Sequence, residues 1–451
     1  MSAFDRFPRR AAFALTVAAT FALNGCGGGS NHTTPSIPAS VGQSAFTRTL
    51  GSPPSTTLGS RRAYHVLYRF KGGTDGLLPS GNLLDVHGTL YGTTTAGGGT
   101  GCGGYGCGTV FKVTTDGVED VVYRFQGGAD GASPEAGVVE VGGALYGTTY
   151  SGGGTGCLYG HGCGTVFKVT ESGSETVLRR FTGGTDGARP AAGLIEVNGT
   201  LYGTTSVGGE KGGGSGCGGY GCGTVFKIAT SGKKSILYDF QGGNDGAGPN
   251  ALVNVGGTLY GTTVAGGPSD HGLCSRPGCG TVFKLTLSGS ERVLHRFKPI
   301  SNDGAAPLAG LTAIGGILYG TTSAGGGGGC RGVGCGTVFK ITTSGMESVL
   351  VRFSGGSDGA DPAASLANVG DTLYGTTVMR GNQQNLNCFE AICGTVFKVT
   401  TSGTKYGILH RFSSNPDGAQ PYGGLIDVGG TFYGTTAGGG SDDGTVFSIQ
   451  P

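Results

Sequence analysis

The sequence predicts an all-β chain folded as a seven-bladed β-propeller of four-stranded antiparallel blades, closed by an N-terminal strand that completes the last blade. Three observations carry this expectation. First, Tyr-Gly-Thr-Thr begins at Tyr91, Tyr146, Tyr202, Tyr260, Tyr319, Tyr374 and Tyr433, at spacings of 55, 56, 58, 59, 55 and 59 residues. Second, Gly-Thr-Val-Phe follows it each time, beginning at Gly108, Gly164, Gly223, Gly280, Gly336, Gly394 and Gly444. Third, 100 of the 451 residues are Gly, and Gly inside a helix costs about 1 kcal/mol against Ala, so short strands joined by tight turns fit better than helices. The glycines follow no three-residue period and Pro numbers only 17, which excludes collagen.

Within one unit the strands follow in order. In the third full unit, Ala192-Gly-Leu-Ile-Glu-Val197 reads as a short inner strand and Thr200-Leu-Tyr-Gly-Thr-Thr205 as a second. Gly223-Thr-Val-Phe-Lys-Ile228 is the third and Ser235-Ile-Leu-Tyr-Asp-Phe240 the fourth. β-Branched and aromatic residues fill them, and turns such as Asn198-Gly199 and Ser231-Gly232 are short enough for antiparallel hairpins. The region opens with a lone fourth strand, Tyr64 to Phe70, and ends after a third strand, Gly444 to Ile449. The first strand can therefore finish the seventh blade and remove two open edges; a solenoid would want capping units instead.

Leu-Tyr-Gly-Thr-Thr, Cys-Gly-Thr-Val-Phe-Lys and Arg-Phe-x-Gly-Gly-x-Asp-Gly-Ala-x-Pro together resemble the GloVer tandem repeat of bacterial choice-of-anchor proteins, over residues 64–451. The resemblance implies a surface-anchored repeat protein and brings no activity or catalytic residue with it.

Residues 1–26 carry Arg6, Arg9 and Arg10, an apolar run from Ala11 to Leu23, and Leu23-Asn24-Gly25-Cys26. The run is too short to span a bilayer and reads as a signal segment ending in a lipobox, with Cys26 lipidated. Ordinary cleavage, which would leave a secreted protein, is the competing reading. Residues 27–63 are rich in Gly, Ser, Thr and Pro and read as a tether between the anchor and the domain at 64–451. The expected address is the bacterial cell envelope, outside the cytosol, with a membrane contact through Cys26 alone.

Thirteen Cys divide into Cys26 and six close pairs: Cys102/Cys107, Cys157/Cys163, Cys217/Cys222, Cys274/Cys279, Cys330/Cys335 and Cys388/Cys393. Each pair precedes a Gly-Thr-Val-Phe strand, so a disulfide inside each repeat is expected. Zinc would need more than two thiolates, and no His recurs beside them.

Asp75, Asp130, Asp186, Asp245, Asp303, Asp358 and Asp417 each precede a Gly in the loop to the next blade. A ring of carboxylates invites a catalytic or calcium reading, but Asp before Gly caps its own turn, and a residue present in every blade suits folding. Arg69, Arg124, Arg180, Arg296, Arg352 and Arg411 are placed to pair with those Asp, and Asp239 breaks the series. Function is expected where repeats differ, on the Cys-closed loops. The candidate ligand residues there are Tyr105, Tyr159, His161, Tyr220, Arg276, Arg331, Phe389 and Glu390, aromatics and charges suited to stacking on sugars or anchoring a partner.

No catalytic set, cofactor site or metal site is expected: the seven His show no ligand spacing, and no nucleophile elbow, zinc-protease helix or phosphate loop is present. A net charge of +2 without a basic stripe argues against nucleic acid. The expectation is a monomeric, non-enzymatic propeller that binds a carbohydrate or protein. The alternatives are a polysaccharide hydrolase or lyase, which would need carboxylates unique to one or two blades near the channel, and a purely structural surface module.

Overall fold

The structure, a computed structural model, describes residues 64–451 apart from 155, 158–159, 210–216, 218, 268–273, 275–277, 299–301, 380–392 and 440–442, and apart from the side chain of Arg331. It is a seven-bladed propeller of antiparallel sheets. Blade 3 is typical: Ile195–Val197, Thr200–Thr205, Thr224–Ala229 and Lys234–Asp239 pair in sequence order. The 198–199 turn has both residues at positive φ, 52° and 77°, the geometry that matches hairpin twist. The first strand is shorter than the sequence suggests, starting at Ile195, because Ala192-Gly193 belongs to the segment entering from the preceding loop.

Blade 7 is assembled from both chain ends. Its strands are Ile426–Val428, Thr431–Thr436, Thr445–Ile449 and Tyr64–Arg69, with Tyr64 opposite Ile449 and Arg69 opposite Thr445. The ring is thus closed by main-chain hydrogen bonds, and no sheet is left one strand short.

The repeated motifs are packing rules. The Gly of Tyr-Gly-Thr-Thr faces the Phe of Gly-Thr-Val-Phe so closely that a Cβ on Gly203 would stand 2.6 Å from the Phe226 ring. That Phe meets the Phe ending the previous blade edge-on. The pairs include Phe70–Phe111, Phe181–Phe226, Phe240–Phe283 and Phe412–Phe447, at centroid distances of 5.0, 5.3, 5.1 and 5.3 Å. All these rings are at most 2% exposed, so each seam between blades is glued by aromatic burial plus an edge-to-face contact. The second Thr of the first motif bonds the Thr of the second in every blade, as in Thr205–Thr224 at 2.9 Å and Thr322–Thr337 at 2.8 Å, which satisfies two buried hydroxyls at once.

Among the described residues no helix is long and apolar enough to cross a membrane. Residues 1–63, with the expected signal segment, Cys26 and tether, lie outside the described residues.

Candidate functional site

Two regions carry unusual side chains: the loop face and the seams between outer strands.

Five of the expected disulfides are formed, Cys102–Cys107, Cys157–Cys163, Cys217–Cys222, Cys274–Cys279 and Cys330–Cys335, with Cα atoms 5.2 to 5.3 Å apart. Cys393 is buried, and Cys388 lies outside the described residues. Each bridge closes the loop between strands two and three. Where Gly127 and Gly242 open the loop to the next blade, a Cβ would stand 3.0 and 2.9 Å from the two sulfurs of the neighbouring bridge. The disulfide therefore clamps two loops of one blade together, and both emerge on the same face, as the strand directions require.

On this face Tyr105, His161 and Tyr220 occupy one equivalent position in blades 1, 2 and 3. The main-chain carbonyl of each accepts a hydrogen bond, from Gly97, Gly152 and Gly208 at 2.8, 2.7 and 2.8 Å. Backbone fixation leaves the side chains outward: Tyr105 is 58% and Tyr220 52% exposed, and His161 is exposed. The matching residue of blade 5 is Val333. Of the other loop candidates, Tyr159, Arg276, Phe389 and Glu390, together with the side chain of Arg331, lie outside the described residues.

The seven Asp behave as turn-formers. Each takes main-chain N–H groups of its own loop: Lys71 and Gly76 donate to Asp75 at 2.9 and 2.7 Å, and Gln126 donates to Asp130 at 2.6 Å. The expected Arg–Asp pairs are not made, which corrects the sequence reading. Arg124, Arg180, Arg296, Arg352 and Arg411 instead donate from Nε to the carbonyl of the residue just before the Asp of the previous loop. These bonds run to Thr74, Ala129, Asn244, Asn302 and Ser357 at 2.8, 2.8, 2.8, 3.0 and 2.8 Å. Arg69 does likewise from Nη2 to the carbonyl of Pro416, at 3.1 Å. The carboxylates are already turned inward onto their own amides, so the guanidinium finds the outward carbonyl.

What the Asp meets in the seam varies. The penultimate side chain of the outer strand reaches the Asp that follows in every seam but that between blades 5 and 6, where it is Val351, and the first side chain of the next blade's outer strand comes from the other side. Between blades 7 and 1 these are Tyr68, Asp75 and Glu119, the phenol donating at 2.9 Å. Tyr123 donates to Asp130 beside Glu175, and Tyr238 to Asp245 beside Glu291, at 3.0 and 2.9 Å. Between blades 2 and 3 Arg179 and Lys234 hold Asp186 at 2.7 and 3.0 Å. Between blades 4 and 5 His295 Nε2 lies 2.9 Å from Asp303 Oδ2, with Glu347 as the third member. Between blades 6 and 7 His410 Nε2 lies 3.0 Å from Asp417 and Tyr64 stacks on the imidazole at 3.9 Å.

Electrostatics follow the occupants. Burial, with the adjacent Asp charge added, pushes Glu119, Glu175, Glu291 and Glu347 up to about 7. Burial opposes ionisation of Asp186 as well, but the Lys234 hydrogen bond and charge more than offset it and hold that carboxyl below its usual range. Elsewhere, Asp361 sits at φ 59° with Oδ1 buried and unbonded, and desolvation pushes it up to about 7.

The repeat signature decides the family. The model described as the Gloeobacter/Verrucomicrobia repeat matches residues 55–275, 212–385 and 274–451. The chain belongs to this family. No curated protein matches the chain in sequence. Among solved structures, Kuenenia stuttgartiensis hydrazine synthase is similar at 16% identity and a TM-score of 0.50, covering 82% of this chain and 95% of that one. Saccharomyces cerevisiae Sqt1 is similar at 12% identity and 0.48, covering 82% and 83%. An oligogalacturonate lyase in complex with manganese is similar at 10% identity and 0.47, covering 83% and 90%. These likenesses concern the propeller fold alone.

For this Gloeobacter/Verrucomicrobia repeat protein, the seam triads are the feature that sequence reasoning missed. Their members stand 7 or 8 residues and then 44 to 48 residues apart, or 353 where Tyr64 closes the last seam, so no local motif contains them. Stacking the repeats in register would have found them, because the fourth-strand positions read Tyr, Tyr, Arg, Tyr and His at residues 68, 123, 179, 238 and 295.

Proposed function

We propose that this protein is an extracytoplasmic, non-enzymatic binding module, lipid-anchored at Cys26, that takes a glycan on the loop face of blades 1 to 3. One observation carries the reading: Tyr105, His161 and Tyr220 hold the same loop position on three consecutive blades, fixed by main-chain bonds, with both Tyr more than half exposed. A loop backbone fixed in this way has little freedom left to lose on binding, and the rings it carries offer apolar faces to the C–H surface of a sugar. The remaining exposed large apolar side chains, such as Val118, Met346 and Val369, lie at or beside the short strand-joining turns. Among the described residues they are spread over blades 1, 5 and 6. Disulfides are compatible with the oxidising side of a membrane.

A glycan array probed with the oxidised protein and with Tyr105→Ala/Tyr220→Ala tests this. Binding to a defined glycan set that the double variant loses at an unchanged melting temperature supports the reading. Silence of the oxidised protein on the array, equal binding by the variant, or cleavage of the bound glycan overturns it. Metabolic labelling with a palmitate analogue tests the anchor, and labelling that persists in Cys26→Ser sinks it.

A further inference from the structure

The seam between blades 4 and 5 differs from every other seam in one respect. It brings an imidazole and two carboxylates together: His295 from the outer strand of blade 4, Asp303 from the connecting loop, and Glu347 from the outer strand of blade 5. One ligand atom from each lies within 4.8 Å of the other two. They line a cavity of about 460 Å³ between the two outer strands, bounded also by Leu294, Asn302 and Val349.

We propose that His295, Asp303 and Glu347 bind a divalent transition-metal ion of the Zn²⁺ type, which bridges blades 4 and 5. Three considerations lead there. The donor set is one neutral imidazole nitrogen and two carboxylates, a combination that first-row transition ions take and that Ca²⁺ or Mg²⁺, which prefer oxygen throughout, do not. The spacing is near what an ion needs: ligands at about 2.1 Å from Zn²⁺ stand about 3 to 4 Å apart, and His295 Nε2 and Asp303 Oδ2 stand 2.9 Å apart across a hydrogen bond whose proton the ion would replace. Glu347 offers the third ligand atom, within 4.8 Å of the other two. Finally, Glu347 Oε1 is buried without a hydrogen-bond partner, so a second carboxylate is held beside Asp303 with nothing donating to that oxygen.

The other seams act as internal controls. Glu119, Glu175 and Glu291 each carry the same orphaned Oε1 and lie beside the equivalent Asp, but their third member is a Tyr whose O–H donates to that Asp. A neutral phenol leaves those sites without a nitrogen ligand. His410 has the imidazole and Asp417, yet Tyr64 takes the place of the second carboxylate. Only the 4/5 seam, among the described residues, satisfies both conditions. Arg296 and Arg352, which border the cavity, are engaged through Nε with the carbonyls of Asn244 and Asn302 and recur in the Tyr seams, so they do not distinguish this one.

The inference is independent of the loop face. Its test is calorimetric titration of the oxidised, metal-stripped full chain with Zn²⁺, Mn²⁺ and Ca²⁺, together with thermal melts. The expected result is one Zn²⁺ per chain and a rise in melting temperature. Loss of an outer partner of a metal ligand already costs about 10- to 100-fold in affinity, so His295→Gln and the isosteric Glu347→Gln are expected to lose at least as much, whereas His410→Gln keeps the wild-type isotherm. Absence of Zn²⁺ binding by the wild-type chain, Ca²⁺ binding tighter than Zn²⁺, or an isotherm that the His295 and Glu347 variants leave unchanged overturns the proposal.

Discussion

The seam between blades 2 and 3 and the seam between blades 3 and 4 share a backbone and differ in charge. In the first, Asp186 is held between Arg179 and Lys234, and Lys234 is only 3% exposed, stacked 4.9 Å from the Phe181 ring. In the second, Asp245 accepts from the Tyr238 phenol, and Glu291 stands beside it with its proton held near neutral pH. The Asp is dictated by its own turn and so cannot change. The two residues that flank it change together, cations with cations and a phenol with a carboxylic acid. The lesson is that the repeat fixes one member of each seam for folding and frees the other two for chemistry.

The invariant layer beneath both seams sets the largest expected effect. Phe226→Ala and Phe283→Ala each remove a fully buried ring from the edge-to-face pair, and each is expected to cost about 3–5 kcal/mol in urea denaturation. Similar losses at the two sites would show that the aromatic layer is indifferent to the polar groups above it. Losses differing by more than about 2 kcal/mol would mean that the two layers are coupled.

Lys234→Met comes next. It removes a buried ammonium that donates to the Asp186 carbonyl and carboxylate at 2.7 and 3.0 Å. With Arg179 still in place, a loss of about 1.5–3 kcal/mol is expected, the range of a hydrogen bond to a charged group. An unchanged denaturation midpoint would refute the matched-pair account of this seam.

The smallest effect concerns pH. Glu119, Glu175 and Glu291 titrate near 7 in the folded chain against an ordinary value of 4.5. The folded state thus holds protons that the unfolded chain has released, and stability falls as pH rises from about 4.5 to about 7, then levels off. Each side chain is partly exposed, so solvent screening keeps each contribution modest. The triple Gln variant is expected to show a flatter melting temperature over this window than the parent; equal slopes would remove the carboxyl pairs as the cause.

Much of this was legible in the sequence, and the limit has a physical reason. Strand order, ring closure and the Cys pairs are written in residues close together or repeated at a fixed period, which is how Tyr91 and Gly108 announce a blade. The loop position of Tyr105 and Tyr220 was legible too, because it lies between paired Cys. The seams were not, since Glu347 joins His295 only after two blades have packed side by side. The Arg series misled for a related reason: a sequence displays charged side chains, whereas the acceptor that Arg124 finds is the main-chain carbonyl of Thr74.

Because Tyr64–Arg69 pairs with Thr445–Ile449, the propeller's first strand waits for its last. A growing chain can fold its middle sheets one by one, yet it has no finished ring until residue 449 has emerged. Copies cut short of the last strand would keep a bare sheet edge, open to proteolysis or aggregation, so the closure doubles as a check that every blade has been made.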